Sequence, residues 1–304
     1  MQTVSGRYEQ LIQDLRASVR PQREWIERQG LFLIVGHFLS GVGAGTWLFS
    51  MAFDFPVGRP LGWAIVALSG LFHLLFLGRP ERFWKMVQVG HSWISRGFLG
   101  ITLFLLTGGV YLLPTYVSGV PWTAEGALGQ VALLLSYLGV GILLLYKGFV
   151  YAASKGVPFW TSPILPALYI AYALRGGVAV LLIGVPVAGN GVDPHLVELL
   201  ELWIGVSAAV LILFYLGVMA NTNAVARRSV HELLQGRVAV SFYVGTLFIG
   251  LFIPIGIGLA SQLTPLSQTV LAAVGVASVI GDFFVKFTIA KAGIYLPLRP
   301  LRML

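Results

Sequence analysis

Two histidines and one carboxylate are the residues best able to do chemistry in an otherwise apolar chain. His37 and His73 lie inside long hydrophobic stretches, and Glu81 follows the second stretch between Arg79 and Arg82. Imidazole can ligate a haem iron or carry a proton, and a carboxylate at a membrane rim can relay protons between water and a buried site. These residues therefore predict proton transfer, or metal ligation, near one end of the hydrophobic segments.

The hydrophobic segments that would position these residues are membrane spans. The 304 residues are 57% hydrophobic and 11% charged, and a transmembrane helix needs about 20 mainly apolar residues. Eight such segments begin near Leu31, Leu61, Gly97, Leu128, Ser162, Leu196, Val238 and Leu266. The sequence therefore predicts an all-α fold, a polytopic membrane protein whose eight transmembrane helices form a bundle.

The polar segments divide the protein into three predicted parts. Residues 1–30 form an amphipathic cytoplasmic leader, residues 31–292 the eight-helix transmembrane domain, and residues 293–304 a cytoplasmic tail. Apolar residues of the leader fall on one helical stripe that ends before Pro21. This stripe predicts a helix lying in the headgroup layer or, alternatively, a docking helix for a soluble partner.

The distribution of basic residues predicts the orientation. All but two of the 20 lysine and arginine residues fall on the side that holds both termini, and the two exceptions are Arg59 and Arg175. Lys147 belongs to the majority because it is expected to flank the fourth loop. Basic residues of short loops remain cytoplasmic, so both termini are predicted to be cytoplasmic. The net charge of +8 is then explained by anionic membrane lipids or an acidic partner, and no nucleic acid is expected as a partner.

The sequence has no cysteine, which limits the redox groups that it can hold. Iron–sulfur clusters are ligated by thiolates, so none is expected in this protein. His37 and His73 are the only histidines within predicted spans, each about 8 to 10 Å below the cytoplasmic surface at 1.5 Å per residue. A membrane cytochrome with a single haem between them is therefore one alternative.

Three deeper charges predict further function. Asp282 and Lys286 are four residues apart in the last span, so they share a helix face and can form an ion pair that is structural or passes protons. Arg175 lies near the middle of the fifth span without a partner at helical spacing, at a cost of about 3 kcal/mol. Glu198 and Glu201 are expected to be interfacial. The first three are candidates for proton transfer, and a secondary transporter that uses such charges is the competing function.

Four stretches carry a resemblance to a known family. They are LFLIVGHFLSGVGAG at 31–45, HLLFLGRPERFWKMVQVGHSWISRG at 73–97, SYLGVGILL at 136–144 and GVPFWTSPILPALY at 156–169. Together they resemble the integral membrane subunits of the polysulfide reductase (NrfD-like) type. The second stretch is the most specific because a Gly-Arg-Pro-Glu-Arg run precedes Ser-Trp-Ile-Ser-Arg-Gly.

The resemblance implies a quinone-binding membrane anchor of a respiratory oxidoreductase complex in a prokaryotic cytoplasmic membrane. Such subunits bind no haem. They exchange electrons between membrane quinone, either menaquinone or ubiquinone, and a ferredoxin-like iron–sulfur subunit that serves a large catalytic subunit, often a molybdopterin enzyme. By itself the protein is not expected to act on the soluble substrate. The basic loops place the expected partners at the cytoplasmic face.

The resemblance also assigns residues to the quinone site. His37 and Tyr137 match positions that hydrogen-bond the quinone head group, and Glu81 matches a nearby carboxylate, so Glu81 and His37 are the expected catalytic groups. His73 and Arg79 complete the predicted set. Structural alternatives remain: His37 and Tyr137 can be packing residues, and the rim charges a cap on the second span. A purely structural anchor is the corresponding alternative for the whole protein.

Overall fold

The computed structural model describes residues 20–79, 81, 83–84, 90, 92–187 and 192–296. Eight helices in these ranges are long and apolar enough to cross a membrane, which confirms the predicted all-α fold of eight spans. Each begins within about one helical turn of the predicted position. The predicted stripe of the leader, residue Arg82 and most of the tail lie outside the described residues.

The helices follow one another with short connections. Their bounds are α1 Gly30–Ala52, α2 Gly58–Phe76, α3 Trp93–Tyr116, α4 Ala127–Ala152, α5 Ile164–Gly184 with a 3-10 turn Val185–Val187, α6 Pro194–Thr222, the short α7 Ala224–Leu234, α8 Ser241–Ala260 and α9 Gln268–Ala292. The first part of α8, Ser241–Phe252, is π-helical. Because consecutive spans alternate in direction, α1, α3 and α5 begin at the same face, which we call the N-terminal face.

Helix α1 lies at the centre of the bundle and contacts α2, α4, α5 and α9. Glycines allow its backbone to approach that of α5 closely. A Cβ atom at Gly45 would lie 2.3 Å from the carbonyl oxygen of Ala173, and one at Gly177 would lie 2.2 Å from the carbonyl carbon of Gly45. In a membrane, where water does not drive helices together, such small-residue contacts permit tight packing.

A two-residue clasp joins the segments that flank the bundle. Strand β1 (Arg20–Pro21) pairs antiparallel with β2 (Ile294–Tyr295). The Tyr295 hydroxyl donates to Glu24 Oε2 at 3.0 Å, and the Arg20 guanidinium lies 4.8 Å from the centroid of the Tyr295 ring. The segment before α1 and the segment after α9 therefore meet at the N-terminal face.

The clasp is expected to be sensitive to acid. Partial burial disfavours the Glu24 carboxylate, but hydrogen bonds from the backbone and from Tyr295, with the charge of Arg20, lower its pKa overall. A lowered folded-state pKa adds stability above the ordinary carboxyl pKa, and that stability is lost as the pH falls through the lowered value. We expect faster hydrogen exchange of residues 20–25 below about pH 4, after correction for intrinsic rates.

At neutral pH, Tyr295→Phe removes the same hydrogen bond and should speed tryptic cleavage after Arg23. The matched control is Tyr243→Phe, on an exposed tyrosine of α8. Equal cleavage rates in the two variants would contradict a stabilising role for the Tyr295 hydroxyl.

Candidate functional site

An apolar cavity of about 460 Å³ lies between α1, α2, α3 and α4, near the N-terminal face. Most of its lining is hydrocarbon, with Leu74, Phe98 and Ile101 among the wall residues. Two further lining residues, Leu71 and Phe83, are 51% and 42% exposed. The cavity therefore reaches a surface that the bilayer would cover.

Two imidazoles and a phenol form the polar part of its wall. The ring centroid of His37 lies 5.4 Å from that of His73 and 5.8 Å from that of Tyr146. His73 Nδ1 is 2.7 Å from the Ser69 carbonyl oxygen, which can only accept, so this nitrogen carries the hydrogen. His73 Nε2 then accepts from the Tyr146 hydroxyl at 3.2 Å. His37 Nδ1 is buried and has no partner among the described residues.

Contacts between α1 and α2 fix the position of His73. A Cβ atom at Gly36 would lie 2.6 Å from the His73 ring, so only glycine leaves room for the imidazole. Ser69, one turn before His73, donates from its hydroxyl to the Gly36 carbonyl at 2.8 Å. The glycine and the serine together set the register of the two helices at the histidine.

In this structure the His73 nitrogen that could ligate a haem iron has a protein partner. Nδ1 donates to the Ser69 carbonyl, which leaves Nε2 for a metal, and Nε2 accepts from the Tyr146 hydroxyl. Iron ligation would require a free nitrogen on each ring directed at one point between them. The geometry therefore favours hydrogen bonding at this wall.

The structure brings together only some of the residues predicted from sequence. His37 and His73 line the cavity, whereas Glu81 and Arg79 are exposed beyond the end of α2 and do not line it. Tyr137 is half-buried and also lies outside the cavity lining. It precedes Tyr146 by nine residues on α4, about 13 Å towards the opposite face. A contact between Tyr137 and quinone stays a prediction.

Sequence reasoning missed a buried lysine behind this wall. The expectation that Lys147 flanks a loop is wrong, because it lies inside α4 and is fully buried. Its Nζ donates to the Leu143 carbonyl at 2.6 Å and to Ser40 Oγ at 3.4 Å. Ser40 Oγ in turn lies 3.3 Å from the Tyr146 hydroxyl. Depth along the helices could have indicated Tyr146, since it is six residues before the end of α4 and His37 is seven after the start of α1.

A second buried network joins α5, α6 and α9. Arg175 Nε donates to Glu201 Oε1 at 2.7 Å, and Arg175 Nη2 donates to Ser278 Oγ at 3.0 Å. Ser278 Oγ donates to the same Glu201 oxygen at 2.5 Å. The expectations that Arg175 lacks a partner and that Glu201 is interfacial are therefore wrong. The reason is that Glu201 lies nearly two turns inside α6 and is directed at α5, where it is 2% exposed.

The last partner of Arg175 is a backbone carbonyl four residues before a proline. Arg175 Nη1 donates to the carbonyl oxygen of Gly250 in α8. Four residues later stands Pro254, which has no N–H and cannot make the helical hydrogen bond to that carbonyl. Arg175 thus donates to a carbonyl to which Pro254 cannot donate.

The predicted ion pair between Asp282 and Lys286 is confirmed, and both side chains are buried. The Lys286 ammonium also lies about 6 Å from the ring centroids of Phe38, Tyr169 and Tyr172, within reach of cation–π attraction. A Cβ atom at Gly176, the neighbour of Arg175, would lie 3.0 Å from Asp282 Oδ2. The two charged networks therefore meet at α5.

Comparison with known proteins agrees with these features. Residues 29–297 match the family described as "Polysulphide reductase, NrfD". The sequence is 27% identical to a protein named "Protein NrfD homolog" of Haemophilus influenzae, over 76% of this protein and 79% of the relative. It is 29% identical to "Protein NrfD" of Escherichia coli, over 74% and 78%. It is 24% identical to a protein named as one of the chains of polysulfide reductase in Wolinella succinogenes, over 73% and 80%.

The match covers all eight membrane spans, from the start of α1 to the segment after α9. Eight apolar spans make the protein a multi-pass protein of the bacterial inner membrane, as its relatives' family implies. The family resemblance of the four sequence stretches is confirmed. The protein belongs to the polysulphide reductase NrfD family of membrane subunits.

Proposed function

We propose that this protein is the quinone-reactive membrane subunit of a respiratory oxidoreductase complex. The observation that supports this most directly is the apolar cavity that reaches the lipid-covered surface and ends on His37, His73 and Tyr146. A membrane quinone has a hydrocarbon tail and a head group with two carbonyl oxygens. Ligand sites of this kind combine mainly apolar walls with a few well-placed polar groups, and this cavity has both.

The side chains of the wall have distinct roles in the proposal. A bound quinone takes up or releases two electrons together with two protons. Tyr146 and His37 are placed to hydrogen-bond the carbonyl oxygens, and the unpartnered Nδ1 of His37 is available for reorientation towards a ligand. Without a ligand, the Tyr146 hydroxyl donates its one proton to His73 Nε2, and on quinone binding it turns this proton to the quinone oxygen. The hydrocarbon lining excludes water, which strengthens these polar contacts.

The electrons must come from or go to other subunits, because the sequence has no cysteine for an iron–sulfur cluster. We propose a ferredoxin-like iron–sulfur subunit and a large catalytic subunit, of the molybdopterin class, as partners. The Wolinella succinogenes relative is named as one chain of its polysulfide reductase, a name that implies further subunits. The cavity lies near the N-terminal face, so the partners are proposed to dock there, on the cytoplasmic side by the charge rule.

Two sets of ionisable residues are proposed to transfer protons, one at the rim and one buried in the bundle. Glu81 and Arg79 lie at the N-terminal rim, where a carboxylate can exchange protons with water. Asp282, Lys286 and Arg175 are buried deeper, where ionisable residues commonly serve proton transfer. No contact in the described residues specifically favours the solute path of a transporter over a quinone site.

Filling the cavity should weaken quinone binding. Gly70 lines the cavity, and a Cβ atom there would meet only Ile101 Cγ2 at 3.5 Å, so the side chain of Gly70→Phe would enter the cavity. We expect the affinity of the purified protein for a photoreactive naphthoquinone to fall at least about 10-fold, or 1.4 kcal/mol. In the unmodified protein, the cross-links should map to α2 and α3.

The matched control is Gly141→Phe, because a Cβ atom at Gly141 would meet nothing within 4 Å. It should bind and cross-link like the unmodified protein. Cross-links distributed over all spans, or undiminished in Gly70→Phe, would overturn the proposed site.

A further inference from the structure

We infer that Lys147 is a proton-relay residue that serves the quinone cavity from inside the protein, an inference that rests on the proposed function. Its Nζ begins a line of polar atoms that continues through Ser40 Oγ and the Tyr146 hydroxyl to His73 Nε2. The successive separations are 3.4, 3.3 and 3.2 Å. Such a line connects the interior of the bundle with the wall that would contact the quinone.

Lys147 differs from the other buried cations in its partners. Arg175 is paired with Glu201, and Lys286 with Asp282. Lys147 is fully buried, yet its hydrogen bonds go to a carbonyl and a hydroxyl, and no carboxylate of the described residues forms a salt bridge with it. An ammonium group buried among neutral partners is costly, whereas a neutral amine is not. This environment suits a lysine that releases and regains a proton.

A glycine makes the space for this side chain. Gly41 lies one turn after His37 on α1, and a Cβ atom there would be 3.3 Å from Lys147 Nζ and 3.2 Å from Ala173 Cβ. Any larger residue would narrow the gap between α1 and α5 in which the amine lies. The position of Lys147 beside Ser40 therefore depends on a specific packing of three helices.

The relay balances in atoms and electrons. For quinone reduction, the two electrons come from the iron–sulfur partner. As a carbonyl oxygen gains a proton, the O–H bond of Tyr146 breaks. Ser40 turns its hydroxyl from the His37 carbonyl, to which it donates at 3.1 Å, and gives that proton to the phenol oxygen; an N–H bond of Lys147 then breaks to restore Ser40. The amine must regain its proton from the aqueous side beyond the end of α4, five residues or about 8 Å along the helix. Two passes deliver two protons, and quinol oxidation runs the same steps in reverse.

The experiment compares Lys147→Met with Lys147→Arg in the complex isolated from native membranes. Reduced benzyl viologen is the electron donor and menadione the acceptor. Arginine keeps the charge and the donors but does not release its proton at ordinary pH. We expect both variants to lose turnover about 100-fold, the usual size of a general acid–base contribution, and to show a larger solvent deuterium isotope effect. The control Lys155→Met, on an exposed loop lysine, should change neither.

Proton uptake after a single reducing pulse, followed with a pH-sensitive dye, provides a readout besides turnover. It should lag behind electron transfer in both Lys147 variants. Ser40→Ala, a small change on the same line of atoms, should slow turnover and raise the isotope effect even if a Lys147 variant fails to assemble.

The outcomes separate this inference from the proposed function. Wild-type turnover in Lys147→Arg or in Ser40→Ala, while the photoreactive naphthoquinone still binds, would overturn the relay and leave the quinone site standing. Failure of the unmodified protein to bind the naphthoquinone would overturn the proposed function itself.

Discussion

Glu201→Gln is expected to destabilise the transmembrane bundle by about 3 to 5 kcal/mol, the usual cost of removing one member of a buried ion pair. The carboxylate accepts from Arg175 and Ser278, and it is the only acidic partner of Arg175 in the described residues. Its neutral replacement leaves a buried guanidinium uncompensated. Denaturant titration of the purified protein in detergent, with tryptophan fluorescence as the signal, measures the loss.

Glu198→Gln is the matched control, since it makes the same chemical change one turn earlier on α6, at a carboxylate that is also buried but has no ion pair among the described residues. It should cost less than about 1 kcal/mol. The double variant Arg175→Met/Glu201→Met should recover most of the stability because it removes both charges. An equal loss in the Glu198 and Glu201 variants would contradict a specific role for the pair.

The eight spans and their approximate ends are predictable from sequence because they depend on length and hydrophobicity alone. Charges near span ends are less predictable. Lys147 is five residues from the end of α4, where a lysine is usually a loop residue, yet the helix continues past it and the side chain turns inward. Sequence gives the position along a helix but not the direction of the side chain, which is set by how the helix packs.

Partners on different helices are the least predictable feature. Arg175 and Glu201 are 26 residues apart and meet only because α5 and α6 pack side by side. Two prolines show that a sequence can indicate which backbone carbonyls lack their usual helical donor. In an α-helical register, Pro254 cannot donate to the carbonyl of Gly250, and Pro114 cannot donate to that of Val110. The donors to these carbonyls, Arg175 and the indole of Trp122, are not predictable, because they come from elsewhere in the sequence.

Which tyrosine of α4 contacts the quinone, Tyr137 or Tyr146, also depends on how the helices pack. Family resemblance assigns Tyr137 to the quinone, whereas the cavity contains Tyr146, which shares its depth with His37. The two positions are nine residues apart, or about two and a half turns, so they differ in depth and in helix face. A packed structure is needed to decide which of them meets the histidines.

Tyr146→Phe and Tyr137→Phe therefore form a matched pair, with the same atom removed from the same helix. Tyr146→Phe deletes the hydroxyl between His73 Nε2 and Ser40 Oγ. We expect it to lower viologen-to-menadione turnover of the isolated complex about 100-fold, whereas Tyr137→Phe should remain within about twofold. The naphthoquinone should still enter the cavity in both variants, because the hydrocarbon walls are intact.

The reverse result would relocate the site. If Tyr137→Phe stopped turnover and Tyr146→Phe did not, the head group would have to lie about 13 Å deeper along α4, beyond the reach of His37 and His73. The cavity between α1 and α4 would then be an access route for the quinone tail. Because each outcome places the chemistry at a different depth, this pair of variants tests the geometry and the role of the phenol together.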